Sequence, residues 1–130
     1  LKKDGIVIVQ SGSASISEND VFTSIYHTLN KVFPHVFPYV TYIPSYALPW
    51  GFCMATHNPS NLDIPGEEID ARINAKITGN LRFYDSITHH SLFNLPKYLR
   101  TDIQRQRRII QDKDPLMEHY PGISVESTTP

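Results

Sequence analysis

The amino-acid sequence predicts an α/β fold, and three observations in its first third carry that prediction. An unalternating β-branched run at residues 5–10 is typical of a strand buried on both faces of a parallel sheet. Apolar residues at helical spacing follow this run, and Pro34 ends the helix that they predict. A second apolar extended segment, residues 36–43, comes directly afterwards. The order of strand, helix and strand is that of an α/β layer.

The first helix has a recognisable start and a long apolar stripe. Ser17 and Asp20 have the spacing of a capping box, with Asp in place of the usual Glu. The residues after them place large apolar side chains on one helical face, which predicts a helix with one side in the core. These side chains are Val21, Phe22, Ile25, Leu29, Val32 and Phe33.

A hairpin is predicted where the strands of the sheet end. The second strand, residues 36–43, contains Pro38, which places that part at the start or at an edge of the sheet. A proline-bounded loop, residues 44–49, separates it from a third strand at residues 50–56. Because the loop is short, we expect the two strands to be antiparallel neighbours at the end of a parallel sheet.

The remainder of the sequence predicts helices. Ile69, Ile73 and Ile77 share one helical face, and Gly79 follows them as a C-terminal stop. We predict helices over 67–78, 86–93 and 96–111, a short extended piece over 80–84, and a weakly ordered tail over 114–130.

Composition excludes several classes of protein. With 130 residues, of which 40% are hydrophobic and 19% charged, the chain fits one globular domain and not a disordered segment. A net charge of −1 gives no reason to expect nucleic acid or an anionic membrane as partner. Three prolines interrupt the longest apolar stretch, residues 36–52, so it is not a membrane span. The single cysteine, Cys53, rules out an internal disulfide and favours a reducing compartment, so we expect a cytoplasmic protein.

Two polar residues are placed where α/β proteins bind ligands. Gln10 ends the first strand, and ligands of open α/β sheets bind beyond the carboxyl ends of parallel strands. Its amide offers donors and an acceptor to such a crevice, although it also suits a simple turn cap. Tyr46 is the long polar side chain of the loop after the next strand, which opens on the same side. An exposed aromatic residue without a role is the alternative for Tyr46.

Other kinds of site find little support in the sequence. The six histidines include no pair with the spacing of a helical zinc site, so we expect no metal. Cys53 lies in an apolar strand and is expected to pack in the core. The six glycines never form a nucleotide-binding loop. The basic residues between positions 97 and 113 are balanced in part by aspartates, which favours a solvated helix face over a nucleic-acid site.

Four motifs, in order along residues 1–111, resemble the C-terminal half of the spermidine synthase family, the polyamine aminopropyltransferases. One of them is Tyr-Ile-Pro-Ser-Tyr at residues 42–46, followed by Trp-Gly-Phe at 50–52. The other three are the opening Leu-Lys-x-x-Gly with its strand and Gln10, the helix that ends in Val-Phe-Pro at 32–34, and Phe-Tyr-Asp-Ser-Ile-Thr-His at 83–89 with Phe-Asn-Leu-Pro at 93–96. Each motif is weak alone, but four in sequence are fairly specific.

The resemblance implies a fold and an activity. The fold is the C-terminal half of a Rossmann-like, class I methyltransferase-type sheet that ends in an antiparallel strand pair, with additional C-terminal helices. Residues 1–113 would be the C-terminal part of the catalytic domain. The activity is aminopropyl transfer from decarboxylated S-adenosylmethionine to putrescine, which gives spermidine and methylthioadenosine. Decarboxylated S-adenosylmethionine is a co-substrate, so no cofactor is implied.

The resemblance also assigns roles and leaves the acceptor open. Gln10 matches a glutamine that contacts the polyamine, and Tyr46 matches a tyrosine that lines the amine channel. The catalytic Asp and the nucleoside site precede this part of the family's chain, so we expect Leu1 to mark a cut, the fragment alone to be inactive and the full-length protein to be a homo-oligomer. The loop after Tyr46 is one residue shorter than usual, which leaves spermidine open as the acceptor, as in thermospermine-type or spermine-type synthases. Two further hypotheses are a non-catalytic half-fold that binds a partner and an ordinary methyltransferase.

Overall fold

In a computed structural model, which describes residues 1–61 and 63–116, helices flank both faces of a three-stranded sheet. The strands are β1 (Ile6–Ser13), β2 (His35–Ile43) and β3 (Leu48–Thr56). The helices are α1 (Asp20–Val32), α2 (Gly66–Lys76), α3 (Ser86–Phe93) and α4 (Lys97–Arg105), with a 3-10 turn at Pro59–Asn61. No described helix is long and apolar enough to cross a membrane.

The sheet has the order β1-β3-β2, and both of its pairings are antiparallel. β2 and β3 form the predicted hairpin, with Ile43 opposite Leu48 at its closed end. The α/β fold and its closing antiparallel strand pair are thereby confirmed. Pro38 lies opposite Cys53 on β2, which is an edge strand among the described residues. An edge strand accepts a proline because its outward N–H groups have no ladder partner to lose.

The prediction that β1 is buried on both faces of a parallel sheet is wrong for the described residues. β1 pairs with β3 alone, and it does so in the antiparallel sense. Ile6 and Ile8 are 40% and 55% exposed, whereas Val7 packs against the core. The β-branched run does mark a strand with two apolar faces, but described residues cover only one of them.

The main core lies between one sheet face and helices α1 and α4. Phe22 of α1 is fully buried and lies directly over Gly51 of β3. A Cβ at Gly51 would come within 2.6 Å of the Phe22 ring, so the helix sits this close because that strand residue has no side chain. Cys53 is buried in the same cluster, as expected from its apolar strand. The other buried members of the cluster are Ala14, Val36, Ala55, Leu95 and Leu99.

The opposite face is covered over β2 by α3. The Tyr39 ring stacks on Phe52 at a centroid distance of 5.1 Å and meets Phe93 of α3 at 5.3 Å. α2 is tied to α3 by Asp70, whose two carboxylate oxygens accept hydrogen bonds from the backbone N–H of Ser86 at 2.9 Å and its hydroxyl at 2.6 Å. Helix α3 therefore has anchors on the sheet and on α2.

Several local predictions are corrected by longer-range contacts. The N-cap of α1 is Asn19 and not Ser17, and the Asn19 amide donates to Asp102 of α4 at 3.0 Å instead of capping its own helix. The Ser17 hydroxyl pairs with that of Ser15. Residues 80–84 form bends and no strand, and α4 ends at Arg105, before the predicted residue 111. Most of the predicted tail, from residue 117 onward, lies outside the described residues.

Candidate functional site

The carboxyl end of β1 is irregular, and this irregularity shapes the site. The pairing between β1 and β3 shifts between Gln10 and Gly12, which oppose Phe52 and Gly51. Gly12 has a φ of 90°, a left-handed conformation that favours glycine. A bulge of this kind bends a strand and changes the direction of its side chains. Gln10, just before the shift, is exposed. It does not end the strand as predicted, because β1 resumes its pairing after the shift and continues to Ser13.

The turn of the hairpin carries Tyr46 to the same end. The backbone N–H groups of Tyr46 and Ala47 both donate to the Ile43 carbonyl, at 3.0 and 3.1 Å. Ala47 has a φ of 55°, which reverses the chain tightly enough for β3 to begin at the next residue. The Tyr46 ring, which is 45% exposed, then lies against the Trp50 indole at a centroid distance of 4.5 Å and an angle of 48°.

The two residues expected from the sequence meet in space. The Gln10 amide nitrogen donates to the Tyr46 hydroxyl at 3.4 Å, the long end of the hydrogen-bond range. Gln10 thus reaches across the sheet end to the hairpin and does not cap its own turn. Both side chains keep polar capacity that this one contact does not use: the amide oxygen of Gln10 and the hydroxyl of Tyr46 can accept further hydrogen bonds. Their roles as substrate contacts stay a prediction.

A cleft of about 430 Å³ opens between these residues, a size typical of small-molecule sites. Its lining combines three polar side chains, of which that of Ser11 is buried, with aromatic and aliphatic walls: Gln10, Ser11, Gly12, Val21, Ile25, Tyr46 and Trp50. Among these residues there is no carboxylate, imidazole or amine, so this part of the cleft can bind and orient a ligand but holds no acid or base of suitable pKa near neutral pH.

Trp50 is the lining residue that the sequence did not single out for a role. Its indole Nε1 is buried and has no hydrogen-bond partner in the described part of the chain. Buried tryptophan N–H groups usually have one. The signal in the sequence was the four-residue spacing from Tyr46 across a tight turn, which placed both rings in one hairpin.

The hydroxyl and thiol groups nearest to the cleft are not available as nucleophiles. The Ser11 hydroxyl is fully buried and donates to the Val9 carbonyl at 3.0 Å, so it is not a nucleophile. Burial raises the pKa of the Cys53 thiol to about 11, which keeps it protonated. The described residues contain no group of three or more histidine, cysteine or acidic side chains that could hold a metal ion.

The chain is similar to known proteins in sequence. The family model "Spermine/spermidine synthase domain" matches residues 1–64. The chain is 40% identical over 115 residues to the polyamine aminopropyltransferase of Sulfolobus acidocaldarius, and 38% identical over 116 residues to polyamine aminopropyltransferase 2 of Hyperthermus butylicus. These matches cover 87% and 89% of this chain but only 37% and 38% of the relatives. The chain therefore spans somewhat more than a third of the length of the curated relatives that it matches.

Two solved structures share the fold. Spermidine synthase from Thermotoga maritima matches with a TM-score of 0.66 and 20% identity over 82% of this chain and 36% of its own. A spermidine synthase in complex with the transition-state analogue AdoDATO matches with a TM-score of 0.65 and 22% identity, over 82% of this chain and 35% of that one. Both similarities concern a methyltransferase-like α/β fold.

Proposed function

The chain belongs to the polyamine aminopropyltransferase family, and from this premise we propose that it forms one wall of the amine site of such an enzyme. The reaction proposed for the whole protein is aminopropyl transfer from decarboxylated S-adenosylmethionine to putrescine, with spermidine and methylthioadenosine as products. The observation that carries the proposal is the Gln10–Tyr46 pair at the mouth of the cleft.

The chemistry explains why acceptor groups suit this position. The neutral amine nitrogen attacks the carbon beside the sulfonium, the new C–N bond forms as the C–S bond breaks, and the electron pair leaves with sulfur. A free alkylamine has a pKa near that of lysine, about 10.4, so the enzyme binds it as a cation and removes a proton before attack. The Gln10 amide oxygen and the Tyr46 hydroxyl accept hydrogen bonds from N–H groups of the amine and fix its direction.

The proton acceptor and the aminopropyl donor site are proposed to lie in the part of the enzyme that precedes β1. The cleft lining described above includes no carboxylate, which fits a wall that orients the substrate without taking its proton. Residues 1–113 are then the C-terminal part of the catalytic domain, and 114–130 a tail. We expect the 130-residue chain alone to be inactive, and the full-length enzyme to be a cytoplasmic homo-oligomer.

Spermidine is the second candidate acceptor, because the hairpin turn borders the cleft. Ala47 reverses the chain in a left-handed conformation immediately after Tyr46, and Pro49 and Trp50 follow within three residues. A turn this tight fixes the position of the Tyr46 ring and thereby the length of amine that fits beside it.

The test is a product assay with the protein at the length that its gene encodes. Decarboxylated S-adenosylmethionine is supplied with putrescine or spermidine, and methylthioadenosine and the polyamine product are measured by mass spectrometry. We expect Gln10→Ala and Tyr46→Phe to raise the KM for the amine about tenfold each, since a hydrogen bond to a charged group contributes about 1.5 kcal/mol. Gln104→Ala and Tyr42→Phe, at exposed positions of α4 and β2, are the matched controls.

Each result bears on a separate part of the proposal. Absence of methylthioadenosine with every amine would refute aminopropyl transfer, and the identity of the product decides between the two acceptors. Turnover by the 130-residue chain alone would refute the claim that the catalytic groups lie outside it.

A further inference from the structure

The Trp50 indole has a buried N–H without a partner among the described residues, and the function proposed above gives it no role. We propose that the Trp50 and Tyr46 rings together bind the charged ammonium end of the amine substrate, with Trp50 as the principal contact. This inference rests on the proposed function and adds to it a residue that selects for charge.

The position of Trp50 is fixed by the sheet on both sides. It lies third in β3, opposite Ser13 of β1 and Thr41 of β2. Because β3 is the central strand, the backbone of Trp50 is held by both neighbours. The aromatic ring is therefore a rigid part of the cleft wall, whereas Tyr46 approaches it from the turn.

The two rings form a corner. Their centroids are 4.5 Å apart and their planes are inclined by 48°, so they are neither stacked flat nor edge to face. Aromatic faces carry negative potential, and Trp is the best of the aromatic residues at binding an ammonium group within about 6 Å of its centroid. Both rings line the same cleft as Gln10, so the corner lies beside the Gln10–Tyr46 contact.

The composition of the cleft leaves the two aromatic rings as its main groups for binding a cation. A diamine enters as a dication, yet the lining residues offer no carboxylate to compensate either charge. Aromatic faces and oxygen acceptors are the cation-binding groups that the lining contains. The aliphatic side chains of Val21 and Ile25 complete a wall suited to the methylene chain between the two nitrogens.

The unpartnered N–H argues that Trp50 is not a hydrogen-bond anchor for the fold. A buried donor without a partner destabilises the fold, so phenylalanine at this position would remove that penalty and keep an aromatic face. A residue needed only to fill space would be at least as well served by Phe. The property that phenylalanine would not reproduce is the larger and more electron-rich face of the indole, which suits binding of a cation.

The test compares Trp50→Phe and Trp50→Leu in the protein at the length that its gene encodes. A cation–π contact contributes about 0.5–2 kcal/mol, so Trp50→Leu should raise the KM for the amine about three- to thirtyfold. Trp50→Phe should raise it less. The KM for decarboxylated S-adenosylmethionine should stay within twofold in both variants. Far-ultraviolet circular dichroism and the Tm establish whether each variant is folded. If Trp50→Leu does not fold, Trp50→Phe is the variant that tests the proposal.

A pair of competitors that differ in charge but not in length distinguishes recognition of a cation from recognition of shape. Butylammonium and 1-butanol have the same chain length, and both are tested as competitors of the amine substrate. The wild type should prefer butylammonium, and Trp50→Leu should lose about three- to thirtyfold of that preference while its inhibition by 1-butanol stays the same.

The outcomes distinguish this inference from the function on which it rests. A wild-type protein that releases no methylthioadenosine with any amine refutes the proposed function. An active wild type with an amine KM unchanged within twofold in folded Trp50 variants overturns the role of Trp50 and leaves the function standing. Equal increases in the KM of the amine and of the sulfonium donor would show a general distortion of the site and would likewise overturn it.

Discussion

The hairpin cleft (the lining residues around Gln10, Tyr46 and Trp50) and the α3 segment (residues 83–96) each contain a motif that resembles the family. The polar groups of the two regions differ in their hydrogen-bond partners. In the α3 segment the Tyr84 hydroxyl and the His89 Nδ1 are 2.7 Å apart, and the Asp85 carboxylate accepts the Thr88 N–H at 2.8 Å. In the cleft the Gln10–Tyr46 contact is 3.4 Å long and the Trp50 N–H has no partner among the described residues.

This difference shows how a motif can be assigned to structure or to ligand binding. Polar side chains that satisfy one another within a segment stabilise that segment, as the network around α3 does. Polar side chains that converge on open space with capacity to spare are those that a ligand can reach. The family model matches residues 1–64, which include the cleft but not the α3 segment. The hydrogen-bond partners distinguish the two regions, and four substitution experiments test that distinction.

Gly12→Ala should have the largest effect, because Gly12 belongs to the cleft and to the fold at once. Its φ of 90° strains any side chain, and a Cβ would lie 3.2 Å from Val21. We expect the free energy of unfolding to fall by about 3 kcal/mol and the KM for the amine to rise, since the bulge that positions Gln10 is disturbed. Urea denaturation and amine kinetics measure the two effects.

Gly79→Ala is the matched control for that substitution. Gly79 has a similar φ of 101°, but a Cβ there would have no atom within 4 Å. It should lose about 1 kcal/mol from backbone strain alone and leave the amine KM unchanged. Equal losses of stability in the two variants would contradict the close packing inferred at Gly12.

Asp70→Ala should come next and should affect stability alone. It removes both hydrogen bonds to Ser86 and with them the link between α2 and α3. Hydrogen bonds to a charged group support a loss of about 2 kcal/mol. A double-mutant cycle with Ser86→Ala measures the coupling. A changed amine KM in either variant would show that the α3 segment takes part in binding, contrary to the comparison.

Asp85→Ala should have a smaller effect of the same kind. Asp85 is the N-cap of α3, and its hydrogen bond from Thr88 holds the pKa of the carboxyl below its usual value. The stability that it provides is present above the unfolded-state pKa, near 3.8, and is lost as the pH falls through the lower folded-state value. Asp85→Asn keeps a capping acceptor, so its Tm should lie above that of Asp85→Ala at pH 7.

The features that were predictable from sequence are those with local causes. The hairpin follows from two apolar runs separated by a proline-bounded loop, and α3 was predicted with its observed bounds, Ser86–Phe93. The capping-box prediction was wrong because Asn19, not Ser17, is the N-cap of α1, and the Asn19 amide donates to Asp102, 83 residues away. No local sequence pattern predicts a contact between residues so far apart in the chain.

The candidate site was predictable only in part, for the same reason. Gln10 and Tyr46 were predicted to lie together because Gln10 was expected to end a strand and Tyr46 to follow one. The two side chains do meet, although β1 continues beyond Gln10 to Ser13, and their role in binding stays a prediction. The bulge at Gly12 depends on how the strand pairing shifts, and the position of Trp50 in the cleft wall depends on which ring the hairpin turn places beside Tyr46. Gly12 resembles an ordinary turn glycine, and Trp50 an ordinary core residue.

His89 should produce the smallest effect, as a dependence of stability on pH. Burial, and secondarily the charge of His90, lower the pKa of His89 below its usual 6.5, so the unfolded chain binds a proton more readily than the folded one. Stability should therefore decrease as the pH falls through 6.5 and level off below the folded-state pKa. The neutral ring suits the bond with Tyr84, whose hydroxyl can donate to Nδ1.

His89→Asn should flatten that dependence, and thermal unfolding between about pH 5 and pH 7.5 measures it. His57→Asn, at an exposed position, is the control and should leave the slope intact. Because His89 belongs to the α3 segment and not to the cleft, the substitution should leave the pH profile of the amine KM unchanged. A shift of that profile would mean that the two regions are coupled, and the separation drawn between structural and ligand-binding motifs would then fail at this residue.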